Sequence, residues 1–156
     1  MKKPALIISA CLVGRSCRYD GASKILAELG ELEKLFDIVP VCPETDGGLS
    51  VPRPPAEIIN GKIITADGED VTGTYEKGAR NAVVTALRAG AKYALLKESS
   101  PSCGTNLIYD GTFSGRKISG EGIAARALRA EGIKCYSENT VGELLCELQN
   151  VDVTLK

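Results

Sequence analysis

The chain contains no histidine and no tryptophan, and a single methionine among its 156 residues. Without an imidazole, a Ser-His-Asp triad, a Cys-His protease pair and a His-ligated zinc hydrolase are all excluded. Any metal bound by side chains must therefore be held by sulfur or carboxylate. Charge of one sign is also missing: 19 basic residues meet 20 acidic ones for a net charge of -1. That balance offers no electrostatic footprint for nucleic acid. No apolar run approaches the roughly 20 residues of a membrane span. There is no C-x-x-C pair, which disfavours a structural zinc knuckle. Neither G-x-G-x-x-G nor Gly-x-x-x-x-Gly-Lys occurs, which disfavours a plain nucleotide-binding domain.

What is present is an ordinary globular composition, 44% hydrophobic and 25% charged, with six cysteines. A chain of this length suits one core, so a single domain over residues 1–156 is expected. Met1-Lys2-Lys3-Pro4 leads into a short apolar run that stops at Gly14 with no A-x-A-like site, which reads as a first strand after a basic start and not as a signal peptide. The expected compartment is the reducing cytoplasm, where the cysteines serve as metal ligands, reactive thiols or core residues in preference to disulfides. No obligatory protein partner is evident.

Apolar runs alternate with helical patterns, the mark of an α/β domain. Ala5 to Ala10 is a continuous apolar run expected as a strand buried on both faces. Ser23 to Phe36 carries Ile25, Leu26, Leu29, Leu32 and Leu35 at helical spacing, with Ser23 as N-cap. Ile38 to Val41 is a second strand, and Pro40 favours an edge position because it cannot donate to a ladder. Pro43 to Pro55, with four prolines and two glycines, reads as a long loop. Glu57 to Thr65 reads as a β-hairpin around an Asn60-Gly61 type I′ turn. A helix follows over Thr72 to Arg88, its apolar face formed by Tyr75, Ala79, Ala82, Val83 and Ala86. Tyr93 to Leu96 is the third core strand, followed by a polar turn from Lys97 to Gly104. A glycine-rich loop from Gly111 to Gly120, open to reading as a lid or a plain surface loop, precedes a helix over Glu121 to Ala130. Ile133 to Tyr136 is a last strand and Val141 to Leu148 a last helix. The expected fold is a Rossmann-like three-layer α/β domain. Its mostly parallel sheet has about four core strands, strand one near the middle, and carries a hairpin excursion near residues 57–65.

Cys11, Cys42 and Cys103 each lie just past the C-terminal end of an expected core strand. Those ends converge on the crevice where ligands bind in open parallel sheets. Each thiol is flanked by chain-bending residues, Gly14, Pro43, and Pro101 with Gly104. Such bends free backbone N–H groups to face anionic sulfur. Cys146 among leucines on a helix and Cys135 inside a strand read as core residues, while Cys17 shares a turn with Cys11. Burial of all six as small hydrophobes stands beside a thiolate site at this point. Glu44, two residues after Cys42, is the candidate general base in a crevice without histidine. Ser99, Ser100 and Ser102 precede Cys103. Arg18 reads as a substrate contact or a loop staple, and Arg53, held between Pro52 and Pro54, as an anion contact or a surface arginine.

Three motifs in order resemble one bacterial family. They are Ser9-Ala10-Cys11-Leu12-Val13-Gly14 with Arg18-Tyr19-Asp20-Gly21, Val41-Cys42-Pro43-Glu44 with Pro52-Arg53-Pro54-Pro55-Ala56-Glu57-Ile58, and Ser100-Pro101-Ser102-Cys103-Gly104 with Ile108 to Gly115. Together they span most of the chain and are similar to the thiouracil desulfidase (TudS-like) family. The resemblance implies a [4Fe–4S] cluster held by three cysteines, matching Cys11, Cys42 and Cys103, with one iron open to a substrate sulfur. It implies removal of sulfur from a thiolated nucleobase without redox change, thiouracil giving uracil and sulfide. The family's catalytic carboxylate matches Glu44, which would activate water, and its catalytic serine matches Ser100, which would position it. The expected partner is thus a small thiolated base, with no nucleic acid and no membrane. A cysteine-ligated sensor or sulfur carrier without turnover is the alternative that the same cysteines allow.

Overall fold

The computed structural model describes residues 3–154 apart from Lys24, with side chains described as far as Leu148. The basic start at Met1-Lys2 therefore lies outside the described residues. Strand β1 (Ala5–Ser9) pairs in parallel with β2 (Asp37–Val41) on one side and β5 (Tyr93–Leu96) on the other. β5 pairs in parallel with β8 (Lys134–Ser137), giving the order β2-β1-β5-β8 with β1 inside the sheet. β2 is an edge, as Pro40 requires. The strand runs are apolar on both sides because helices cover both sides. Leu6, Ile8 and Leu95 pack with Leu32, Phe36 and Leu144 on one face, while Ile7, Ala94 and Leu96 pack with Ala86, Ala125 and Leu128 on the other. Helices α1 (Leu29–Leu35) and α5 (Val141–Thr154) thus lie on one face, with α3 (Thr72–Ala89) and α4 (Ile123–Ala130) opposite, in three layers.

Two antiparallel pairs leave this sheet. β3 (Ala56–Ile59) and β4 (Lys62–Thr65) form the expected hairpin, with Asn60 and Gly61 at φ 51° and 79° as a type I′ turn demands. The hairpin rests on α3 through Ala56, Ile63 and Tyr75. The glycine-rich stretch after Gly111 is not a bare loop: β6 (Leu107–Tyr109) and β7 (Lys117–Ser119) pair across it. Their short exposed strands lack the apolar alternation that would announce a sheet.

Three further expectations need correction. The helix expected from Ser23 begins only at Leu29, with Glu28 as N-cap. The Leu26 N–H is spent on the Leu12 carbonyl at 2.8 Å, and Ile25 is 64% exposed, so the start of the apolar spacing belongs to a loop fastened to the first motif. The loop after Cys42 opens with one helical turn, α2 (Pro43–Asp46). Pro43 at its first position suits a turn whose leading N–H groups have no helical partner, and the Asp46 carboxylate accepts the Cys42 N–H at 3.0 Å. Cys146 is exposed on α5 instead of in the core, and Cys135 is half-buried. Among the described residues no helix is long and apolar enough to cross a membrane.

Candidate active site

Three parallel strands deliver the site at their C-terminal ends. After β1 the chain enters a short 3-10 helix, Ala10–Val13, that holds Cys11 and is closed by Gly14 at φ 98°. After β2 come Cys42 and the α2 turn bearing Glu44. After β5 the polar turn is tied by Cys103 N–H to Ser100 Oγ at 2.7 Å and by Gly104 N–H to the Ser100 carbonyl at 3.0 Å. Between these ends lies a pocket of about 500 Å³. Its walls include Cys11, Cys17, Cys42, Cys103, Glu44, Ser100 and Ser102, with Tyr109 and Phe113 from the β6–β7 unit.

All four of these thiols are buried. The Cys42 thiol donates toward the Cys17 carbonyl at 3.8 Å, and the Cys17 thiol lies within hydrogen-bonding reach of both Cys11 and Cys42. Hydrogen bonding with Cys11, then burial, pushes the Cys17 thiol above its usual value. The contact with Cys17, then burial, pushes Cys42 up strongly. Burial pushes Cys103 up to about 12, partly opposed by the Ser9 and Ser102 hydroxyls. Such thiols are neutral by themselves and ionise only if a cation repays the cost of charging them. Among the described residues, no three Cys, Asp or Glu side chains converge on one point that would chelate a single ion.

Facing the thiols is an organised carboxylate. Glu44 Oε1 accepts from Arg53 Nη2 and from the Tyr75 hydroxyl, each at 2.9 Å, and Oε2 accepts from the Ser102 hydroxyl at 2.8 Å. Ser100 Oγ lies 3.1 Å from Ser102 Oγ, so a run of hydroxyls joins Ser100 to Glu44. Arg53 also donates to the Cys17 carbonyl at 3.0 Å and so links carboxylate and thiol loop. Burial, and then the Glu44 charge, push the Tyr75 phenol well above its usual value, which keeps it a donor.

Close backbone approach sets these positions. A Cβ on Gly78 of α3 would lie 1.8 Å from the Pro43 carbonyl oxygen, so only glycine lets α2 sit against α3 and aim Glu44 inward. A Cβ on Gly122 would lie 2.5 Å from the Ser102 carbonyl, which fixes the Ser100–Cys103 turn against the start of α4. Glu98 anchors the same turn, accepting from the N–H groups of Thr105, Asn106 and Leu107 at 2.7–3.0 Å. Burial opposes its charge, but the Asn106 and Leu107 N–H groups, with Thr105, outweigh it and hold the carboxyl below its ordinary value.

Each candidate read from the sequence thus lines one pocket: Cys11, Cys42, Cys103, Glu44 and Ser100. Arg53 is an ion-pair partner of Glu44, whereas Arg18 pairs with Asp20 at 3.9 Å on the rim. Ser102, noted in the sequence only as one of the hydroxyls before Cys103, bridges Ser100 and Glu44, and Tyr75, read from its helical spacing as part of an apolar face, also donates to Glu44. Cys17, which shares a turn with Cys11, lines the same pocket.

The pattern that defines the 2-thiouracil desulfurase family matches residues 6–140. The chain belongs to that family. It is 43% identical to the uncharacterized protein YbbK of Bacillus subtilis (strain 168) over 150 residues, covering 90% of this chain and 99% of that one. Among solved structures it is similar to the [4Fe-4S]-dependent thiouracil desulfidase TudS, with a TM-score of 0.89 and 43% identity over 94% of this chain and 99% of that one. The fold is shared along nearly the whole length.

Proposed function

We propose that this chain catalyses the non-redox desulfuration of thiouracil, exchanging the thiocarbonyl sulfur for a water oxygen and releasing uracil and hydrosulfide. The observation that carries the reading is one pocket in which buried thiols face the Glu44–Ser102–Ser100 hydrogen-bond run, in a chain of the desulfurase family. The donor set suits the cluster on which the similar desulfidase depends. It offers sulfur and no imidazole, the donor type an iron–sulfur cluster takes. Cys11, Cys42 and Cys103 would hold it. When bound through three thiolates, such a cluster supplies a Lewis-acidic iron with an open position, which a fourth cysteine would fill.

The protein's own groups handle water and protons. Ser100 positions the water, and Glu44 takes its proton as the oxygen attacks the ring carbon. Arg53 and Tyr75 hold Oε1 and leave the Oε2 edge, with Ser102, to exchange that proton along the hydroxyls. Sulfur departs at the oxidation level at which it arrived. We take the whole chain as one domain working in the reducing cytoplasm, where these thiols stay free.

Anaerobically reconstituted protein should hold iron and acid-labile sulfide in near-equal amounts and convert thiouracil to uracil and sulfide. Cys42→Ala should lose the cluster, while Glu44→Ala should keep it and lose roughly 100-fold or more in sulfide release. A clustered wild-type protein that releases no sulfide would leave a sensor or sulfur carrier as the better reading.

A further inference from the structure

Three carboxylates line the pocket, and their oxygens are not equally committed. Both oxygens of Glu44 accept protein donors, as described. Glu98 accepts backbone N–H groups at Oε1 and the Thr105 hydroxyl at Oε2, 2.7 Å away. Glu57 differs. It accepts the Gly111 N–H at 2.9 Å and the Phe113 N–H at 3.1 Å, both at Oε1, and among the described residues no donor reaches Oε2. No lysine or arginine pairs with it among them either, although the residue is only 7% exposed.

Among the described residues the solvent-shielded side-chain polar atoms without a partner are Arg53 Nε and Ser99 Oγ, so Glu57 Oε2 is not sealed in the interior but open on the side of the pocket that Glu57 lines. On β3 the two-residue period sets Glu57 opposite Ala56 and Ile58, which pack in the hairpin's apolar cluster, and Glu57 lines the pocket, whose wall Ala56 also reaches. Holding the Gly111–Phe113 turn needs one neutral acceptor, which glutamine would provide. The charge and the second oxygen are surplus to the fold. The same anchored turn holds Phe113 at φ 57°, with its aromatic ring at the pocket. A planar base bound there has an aromatic residue and a charged oxygen without a protein donor in the same wall.

We infer that Glu57 Oε2 accepts a ring N–H of the thiolated pyrimidine and so selects bases whose nitrogen beside the thiocarbonyl is unsubstituted. This rests on the desulfidase reading for the identity of the base. Glu57 is then a specificity residue, distinct from the water-activating Glu44.

The test compares 2-thiouracil with its N1-methyl and N3-methyl derivatives on the cluster-loaded enzyme. At least one methylated base should lose about 10- to 100-fold in kcat/KM, since methylation removes the donor and sets a methyl group against the charged oxygen. Glu57→Gln keeps an acceptor for the turn but presents an amide N–H to the base. It should raise KM for 2-thiouracil about 10- to 100-fold with kcat little changed, and erase the penalty for methylation. Wild-type KM and selectivity in Glu57→Gln, or a fall in kcat alone, would reduce Glu57 to a loop anchor. Should that variant not fold, equal kcat/KM for all three bases on the wild type overturns the inference. Calorimetric titration of 2-thiouracil and uracil keeps the two readings separate. Binding weakened in Glu57→Gln, with no sulfide from the wild type, sinks the desulfidase and upholds N–H recognition. Turnover by the wild type with unchanged binding and selectivity in the variant does the reverse.

Discussion

Gly78→Ala sets two physical effects against each other. In the interior of an 18-residue helix the substitution should stabilise by about 1 kcal/mol on propensity alone. The added Cβ, however, falls 1.8 Å from the Pro43 carbonyl oxygen and 2.6 Å from its carbon. Ordinary heavy-atom contact is near 3.5 Å, so α2 and α3 must part by roughly 1.5 Å. Neither obstacle is a flexible side chain, so the strain is borne by backbone, at a cost of about 3 kcal/mol. The net loss is about 2 kcal/mol, which for a chain of this size lowers Tm by about 4–8 °C. Because α2 carries Glu44, the same shift displaces this proposed base by about 1 Å and should cut kcat about 100-fold while iron content is retained. Thermal unfolding of the anaerobic protein, read beside iron analysis and sulfide release, checks all three. Gly73→Ala is the control on the same helix: its Cβ meets nothing within 4 Å and should not destabilise. A Gly78→Ala protein as stable as the wild type and fully active would refute the claim that this contact places Glu44.

Ser102→Ala removes the donor to Glu44 Oε2 and the bridge to Ser100 while leaving Arg53 and Tyr75 in place. It should cost about 1–3 kcal/mol in chemical denaturation and reduce kcat about 10-fold with the cluster intact; unchanged kcat would show that the hydroxyl run carries no proton. Glu98 links folding to pH. Its folded-state value lies below the ordinary 4.5, so its contribution is present above about pH 4.5 and is lost as pH falls through the lower folded value. Glu98→Gln should therefore be less stable than the wild type at neutral pH, with a smaller decline in Tm from about pH 5 to pH 3. Parallel Tm–pH curves for the two proteins would contradict that linkage.

Much of the fold was legible because its signals are local. The apolar runs of β1 and β5, Pro40 on β2 and the Asn60-Gly61 turn each act within a few residues. The failures have two causes: a tertiary hydrogen bond that outbids a local pattern, and an element too short to show one. Leu26 has helical spacing, but its N–H serves Leu12. α2 is too short to show periodicity and exists because Pro43 and Asp46 complete its first turn. Tyr75 sits on the apolar stripe of α3, and nothing in that spacing reveals that its hydroxyl reaches Glu44.

The sequence by itself determined the α/β architecture, the absence of imidazole chemistry and the presence of thiols just past three strands. Parallel pairing does the rest of that placement, since strands of similar length end together. Only the tertiary structure decided how Glu44 is held, by Arg53, Tyr75 and Ser102, and that Glu57 keeps an oxygen without a donor. Those contacts join residues far apart in the chain and depend on where backbone can touch backbone, as at Gly78 and Gly122. A hydrogen bond across such a separation has no period and leaves no mark in the order of residues.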